Sequence, residues 1–439
     1  MKKKFSIIFL LSLLLLIFLG SYSLLSVSPS QNYPNNITLS SPENIVIYVN
    51  STIYSDILDS INQYKSDIEA DGYNVSVYNW SDLAPDRIIR ANNLKSNLTL
   101  EYNLNNIIGA VLIGQLPYAE YENLSDPYDH IPYCGYNFAC DLFLMDLDGN
   151  WTDHNGDNFY DDHQPTSTGD LYPEIFIGRI DPYSINHPNQ TQALIDYFNR
   201  NHLYRTGSLP RYNNSVMYID NPWESTSEEW KGDMEYLYDD ITLINSSYEI
   251  TDAQNYIDAL QQNYEFIWSF IHSNHTHHGF DWTPSSGTFV NYSQIANLNT
   301  KALFYNLYCC YAAKFDAMDN LATHYLFSSN YTLAVFGCAR SGGFVMNRYL
   351  YNPLSNGKTL GESFKLWWSN DQYHSHGHGP DDMNQKGNCL LGDPLLKIRE
   401  PSENSGPSGQ PNFLHLLIAL CIIFGIITVV VIISFKMSS

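Results

Sequence analysis

The stretch IHSNHTHHGF at residues 271–280 sets four histidines in ten positions, and YCCYAAKF at residues 308–315 sets two adjacent cysteines behind an apolar run. A thiolate nucleophile needs a neighbouring base and surroundings that favour its charge. A tetrahedral intermediate needs backbone N–H donors, and glycine lets the backbone approach a substrate closely. His278 is followed at once by Gly279, so this pair answers both needs. The 32 residues from His278 to Cys310 leave room for one crossover between neighbouring parallel strands. His278 is therefore a candidate base, and the cysteines at 309 and 310 are candidate nucleophiles. His272 is expected to be a satisfied residue near a strand end, and His275 and His277 to line the cleft. Zinc would suit the spacing of the four histidines, but no acidic or cysteine ligand stands at a suitable local distance.

These residues need a scaffold, and the apolar pattern supplies one. NIVIYVN, VSVYNW, IIGAVLIG, EIFIGRI, SVMYID, EFIWSFI and ALFYNLY read as strands. Helical stretches intervene, among them IYSDILDSINQYKSDIEADG, QTQALIDYFNRNHLY, EEWKGDMEYLYDD and DAQNYIDALQQN. Near-continuously apolar strands separated by helices predict an α/β fold with a doubly wound, mostly parallel sheet covered on both faces. Ligands of such sheets sit beyond the carboxyl ends of the strands. Asp220 follows SVMYI, the histidine loop follows EFIWSFI, and Cys309 and Cys310 follow ALFYNLY. An acid, a histidine and a thiol are thus expected at one edge, with Asp220 orienting the imidazole. Side-chain alternation turns Cys309 to the face opposite Cys310. The second histidine cluster, YHSHGHGPDD at 373–382, follows no apolar strand and reads as a solvated loop.

On these residues the chain resembles the gingipain-type cysteine peptidases, a caspase-fold group that includes legumain and clostripain. NHTHHGFDW is similar to their histidine–glycine segment, and YCCYAAKF to the motif that carries their nucleophile. KTLGESFKLWW and LLGDPLLKI resemble the helix and strand that close their catalytic domain. The resemblance runs from about Asn44 to about Ile398. It implies a caspase-like catalytic subdomain at residues 131–398 and a smaller N-terminal α/β subdomain at 44–130. It further implies an endopeptidase with a Cys310–His278 dyad, an acid such as Asp220 as third partner, and an oxyanion hole from the N–H groups of Gly279 and Cys310. Relatives that cut after Arg or Lys hold a carboxylate in the first specificity pocket, which points to Glu228, Glu229 and Asp233 here. The alternative is a caspase-fold binding or adhesion module that has lost catalysis, and the intact Cys/His–Gly pair favours the enzyme.

Around the peptidase-like region, MKKKFSIIFLLSLLLLIFLG at the start reads as a signal peptide, residues 1–26. Residues 399–412 read as a linker, 413–435 as one membrane-spanning helix and 436–439 as a short cytoplasmic tail. The expectation is a single-pass cell-membrane protein with its catalytic part outside, acting on protein or peptide substrates. About a dozen N-x-[ST] sequons suit a glycoprotein. Forty-six acids against 22 bases, a net charge of −24, argue against a nucleic-acid partner. Cys134 and Cys140 are spaced to close a small loop disulfide in an oxidising exterior. DHNGDNFYDDH carries Asp153, Asn155, Asp157 and Asp161 at EF-hand-like positions 1, 3, 5 and 9, without the loop's usual glycine or terminal glutamate. A structural calcium loop is expected there, with no cofactor for catalysis.

Overall fold

The computed structural model describes residues 42–122, 137–187, 189–245, 250–280, 288–370 and 385–399. The expected signal peptide, residues 400–412 of the expected linker, the membrane helix and tail, the histidine cluster at 373–382 and Cys134 lie outside them. Among the described residues no helix is long and apolar enough to cross a membrane.

Seventeen strands form among the described residues. In chain order they are β1 (Asn44–Asn50), β2 (Asn74–Trp80), β3 (Ile107–Ile113), β4 (Ala119–Glu122), β5 (Asn137–Cys140), β6 (Asn150–Thr152), β7 (Asp162–Gln164), β8 (Phe176–Ile180) and β9 (Ser215–Ile219). Then follow β10 (Ile241–Asn245), β11 (Phe266–Phe270), β12 (His272–Ser273), β13 (His277–Phe280), β14 (Thr288–Asn291), β15 (Phe304–Tyr308), β16 (Ala334–Cys338) and β17 (Asn388–Gly392). Ten of them make one sheet in the order β10-β9-β11-β15-β16-β17-β8-β3-β1-β2. Neighbours pair in parallel except at β16/β17, and β17 meets β8 only at Leu391 beside Arg179. The seven strands predicted from apolar runs all form. The sheet also takes in β10, β16 and β17, and it crosses residue 130 without a break. LLGDPLLKI contributes only its first residues to a strand, because Gly392 sits at φ 114 and turns the chain out.

Both faces of the sheet are covered, as the near-continuous apolar strands require. Ile45, Ile47 and Val49 pack with Ile61, Tyr64 and Ile68 of the helix Leu58–Ala70 and with Leu194 and Tyr197 of the helix Gln190–Arg205. Val46 and Tyr48 face the other way, onto Ala91, Leu94 and Leu98 of the helix Arg87–Asn105. The same alternation continues to the site. Trp268 and Phe270 of β11 lie in the second layer with the helices Ser227–Met234, Arg348–Ser355 and Leu360–Trp368, while Ile267 and Ile271 lie in the first. Tight packing sets local sequence: a Cβ on Gly109 of β3 would stand 2.1 Å from the Phe176 ring of β8. Caps fix the helices beside the site. Asn320 accepts from the Thr323 N–H, and Thr359 and Glu362 make a reciprocal capping box.

Candidate active site

β11 and β15 are adjacent and parallel, and their last register pair is Phe270 with Tyr308. Those two rings lie 4.3 Å apart by centroid. Two residues further on, the chain reaches His272, at the start of β12, and Cys310, in the turn that follows β15. Strands in a sheet are about 4.8 Å apart and alternate residues share a face. His272 and Cys310 thus each stand two residues beyond that register pair, the interval at which residues of a continuing strand share a face. His272 is partly exposed, and its ring packs 4.4 Å from that of Trp223, which itself stacks on Phe270 at 4.2 Å. Burial lowers its pKa, so the imidazole is neutral and able to accept a proton near neutrality.

Cys310 is partly exposed, whereas Cys309 is buried and donates through Sγ to the Ser269 carbonyl. Burial pushes the Cys309 thiol up to about 12, so it stays protonated. This is the opposite-face arrangement expected for the pair. The Gly342 N–H points at Cys310 Sγ from 3.4 Å, a donor that favours the thiolate over the thiol. Tyr311, the next residue, has φ 58, an uncommon left-handed conformation for a bulky side chain. Its N–H is held by the Arg340 carbonyl. Strain at this point bends the chain sharply just after the thiol.

His278 lies elsewhere. It is wholly buried, and its two ring nitrogens lie 2.8 Å from Ser273 Oγ and 3.0 Å from Tyr325 Oη. Tyr325 continues to Tyr256, and Tyr256 to Ser269, beneath the face that carries Cys309. Burial pushes the His278 pKa down to about 3. An imidazole so weakly basic is a poor proton acceptor at neutral pH. Gly279 sits in the middle strand of an antiparallel ribbon, opposite His272 on one side and Phe289 on the other. The glycine that made His278 look catalytic is thus the spatial neighbour of His272. Of the remaining loop histidines, His275 and His277 are partly buried, with His277 edge-on to Phe289 at 4.8 Å. His272, expected from the sequence to be a satisfied residue near a strand end, is partly exposed instead. The signal for it was the strand-end rule, applied two residues beyond β11.

Asp220 follows β9 as expected and is fully buried. Its carboxylate accepts from the Asn221 N–H and caps a short 3-10 turn, and its charge acts on Tyr218 and Cys309. Of the three acids expected in a specificity pocket, Asp233 is buried and paired with Arg348 at 3.0 Å. Glu229 is exposed 3.7 Å from the same guanidinium, and Glu228 is exposed. Arg348 thus already answers the one buried carboxylate. Cys140 is a free, buried thiol that burial pushes up to about 12.

The acidic loop folds on itself. Asp153 accepts from the N–H groups of Gly156 and Asn158, Asp157 from Phe159 and Asp161 from His154. Asn155 accepts from the Asp157 N–H and donates to Glu122, a carboxyl that sequence reading had not placed here. Burial first, then Asp157, Asp161 and Asp153, raise the Glu122 pKa. Asp161 Oδ1 is buried without a hydrogen-bond partner, an oxygen left for a cation or water. A second acidic group joins Asp146, Asp148 and Glu174, with carboxylate oxygens within 4.8 Å of one another. Lys95 already lies in it, donating to the Asp146 carbonyl at 2.6 Å.

Comparison with protein families matches peptidase family C25 over residues 37–399. No curated protein matches the sequence.

Proposed function

The chain belongs to peptidase family C25, the gingipain family of cysteine peptidases, and on that premise we propose that it is an endopeptidase whose nucleophile is Cys310 and whose base is His272. The observation that carries the reading is the Phe270–Tyr308 register pair, which stands two residues before both His272 and Cys310. His272 takes the thiol proton as Cys310 Sγ attacks the scissile carbonyl. The proton then passes to the departing amine, leaving an acyl group on sulfur. Water attacks that thioester, gives its proton to His272 and releases the carboxylic acid, and the thiol is restored.

The Cys310 N–H is a natural donor to the oxyanion. The Gly279 N–H, proposed with it from the sequence, belongs to a three-stranded ribbon and is the weaker candidate. Asp220 acts at a distance, by holding the turn that carries Trp223 against His272. Phe270, Trp223, Trp230 and Tyr308 make the surroundings of the dyad aromatic. With Asp233 neutralised by Arg348, this favours an apolar residue before the scissile bond over a basic one.

The wider proposal is a protein exported by its N-terminal segment and held in the membrane by residues 413–435, cleaving extracellular polypeptides. Calcium is proposed as a structural ion at the loop of Asp153, Asn155, Asp157 and Asp161, where Glu122 adds a carboxylate and Asp161 Oδ1 is an oxygen without a partner. It would supply oxygen-ligated cross-linking and no part of the thiol chemistry. The test of the core reading is hydrolysis of a peptide library by the full-length chain beside Cys310→Ala, with a thiol-reactive probe mapped by mass spectrometry. Cleavage lost in the variant, with the probe on Cys310, supports it. Undiminished cleavage by the variant overturns it.

A further inference from the structure

A cavity of about 390 Å³ opens where β1, β2 and β3 end, between residues 50–52, 80–83 and 115–118. Arg87 and Arg90 of the helix Arg87–Asn105 line it, with Trp80, Leu83, Leu116 and Tyr118. A smaller cleft shares Gln115, Leu116 and Tyr118 with it and continues to Phe315, Asp316 and Met318. Those last residues belong to the turn that begins at Cys310. The Phe315 ring stands edge-on to Tyr118 at 5.5 Å, and the Arg179 guanidinium lies 4.8 Å over its centre. Together the two linings reach from the turn that follows Cys310 to the ends of β1, β2 and β3.

From these observations we propose that the cavity is a remote subsite of the peptidase, which holds an Asp or Glu side chain of the bound polypeptide on Arg90, with Arg87 beside it. The proposal rests on the peptidase reading above. Arg87 is paired with Glu120 and lies over the Phe159 ring at 5.0 Å, so its position is fixed. Arg90 donates to the carbonyls of Ala84 and Pro85 at 2.8 and 3.1 Å, which orient the guanidinium without neutralising it. Among the described residues no carboxylate lies within ion-pair reach of Arg90. Asp82, the acid in the lining, has one oxygen on the Ala84 N–H and the other on the Asn93 amide. A planar guanidinium held this way matches a carboxylate bidentately.

Overall charge sharpens the point. A chain of net −24 draws basic peptides to much of its surface and repels acidic ones. An oriented arginine in a cavity is a local exception, so it selects for position as well as for charge. Four strand spacings separate β15 from β3 in the sheet order, about 20 Å or roughly six extended residues. The acid recognised should stand about that far from the scissile bond.

The test uses the full-length chain. Binding is read by fluorescence anisotropy on Cys310→Ala, with paired 12-residue peptides that differ only in Glu against Gln at one position. The Glu peptide should bind about 10-fold tighter, Arg90→Gln should abolish the preference, and Arg90→Lys should retain part of it. Equal binding of the two peptides, or a preference that survives Arg90→Gln in a chain with unchanged melting temperature, would overturn the proposal. Hydrolysis by the unsubstituted chain supplies the second arm. A kcat/KM advantage for Glu that appears only near six residues from the cut supports a single groove, and an advantage independent of spacing overturns it. Absence of all hydrolysis would count against the peptidase reading, while the binding arm still decides whether Arg90 recognises a carboxylate.

Discussion

Phe270 and Tyr308 are register partners on adjacent parallel strands, their ring centroids 4.3 Å apart, and each stands two residues before the group proposed to do chemistry. This pair brings the two chain segments together just before His272 and Cys310. It also separates the roles of the two histidines, since His278 stands on β13, the strand paired with His272's own β12, and reaches the opposite face through Tyr325 and Tyr256.

His278 should reveal itself through stability. Its folded pKa, about 3, lies below the ordinary value of 6.5, so the folded state binds fewer protons than the unfolded state between those limits. Its contribution is fully present above pH 6.5 and is lost as pH falls towards 3, at roughly 1.4 kcal/mol per pH unit while the difference in protonation lasts. His278→Gln removes that titration. Its melting temperature should decline less steeply than the parent's between pH 6.5 and 4.5, and parallel curves would contradict the buried, neutral assignment.

Glu174 carries the opposite sign. Burial, followed by the charges of Asp148 and Asp146, raises its carboxyl to about 7. The folded state then binds more protons than the unfolded state between about pH 4.5 and 7, so stability falls as pH rises through that window. Because the group is partly exposed, screening reduces the effect to the order of 1 kcal/mol. Glu174→Gln, which keeps an acceptor for the Leu147 N–H, should be more stable than the parent at pH 8 and no more stable at pH 4.5. Thermal melts at the two pH values check this, and an unchanged difference would refute it.

Calcium should act through the folded state alone. Ligand at 100 times its Kd adds about 2.7 kcal/mol to stability, enough to raise the melting temperature by several degrees. Differential scanning fluorimetry with millimolar calcium, then with chelator, should show a reversible rise in the parent and little in Asp161→Asn. A rise of equal size in the variant would move the ion away from this loop.

The sheet was legible because its strands are buried on both faces and so read as unbroken apolar runs. IIGAVLIG and ALFYNLY admit little else. The edge strand ITLIN is only half-buried, and its pattern carried too little signal to be picked out. Cys310 was picked out by the family resemblance, and the opposite orientation of Cys309 followed from strand alternation. The base proposed here did not, for a specific reason. His278 precedes a glycine in the chain, but the ribbon of β12 and β13 folds that glycine back against His272. A contact made by a hairpin is invisible to a motif read along one dimension. The fate of Asp233 was hidden likewise, since Arg348 lies far along the sequence and reaches it only through packing of the helix Arg348–Ser355 on Ser227–Met234.

The most direct test of the dyad is steady-state hydrolysis of one short peptide by three full-length variants, His272→Ala, His278→Asn and Cys310→Ala, each first shown to be folded. Removing the base should lower kcat by about 10²–10⁴-fold in His272→Ala, and Cys310→Ala should be inactive. His278→Asn should lose stability while keeping kcat within about 10-fold of the parent below its melting temperature. A His272→Ala enzyme that turns over normally, beside a folded His278→Asn enzyme that does not, would contradict the account and return the base to His278.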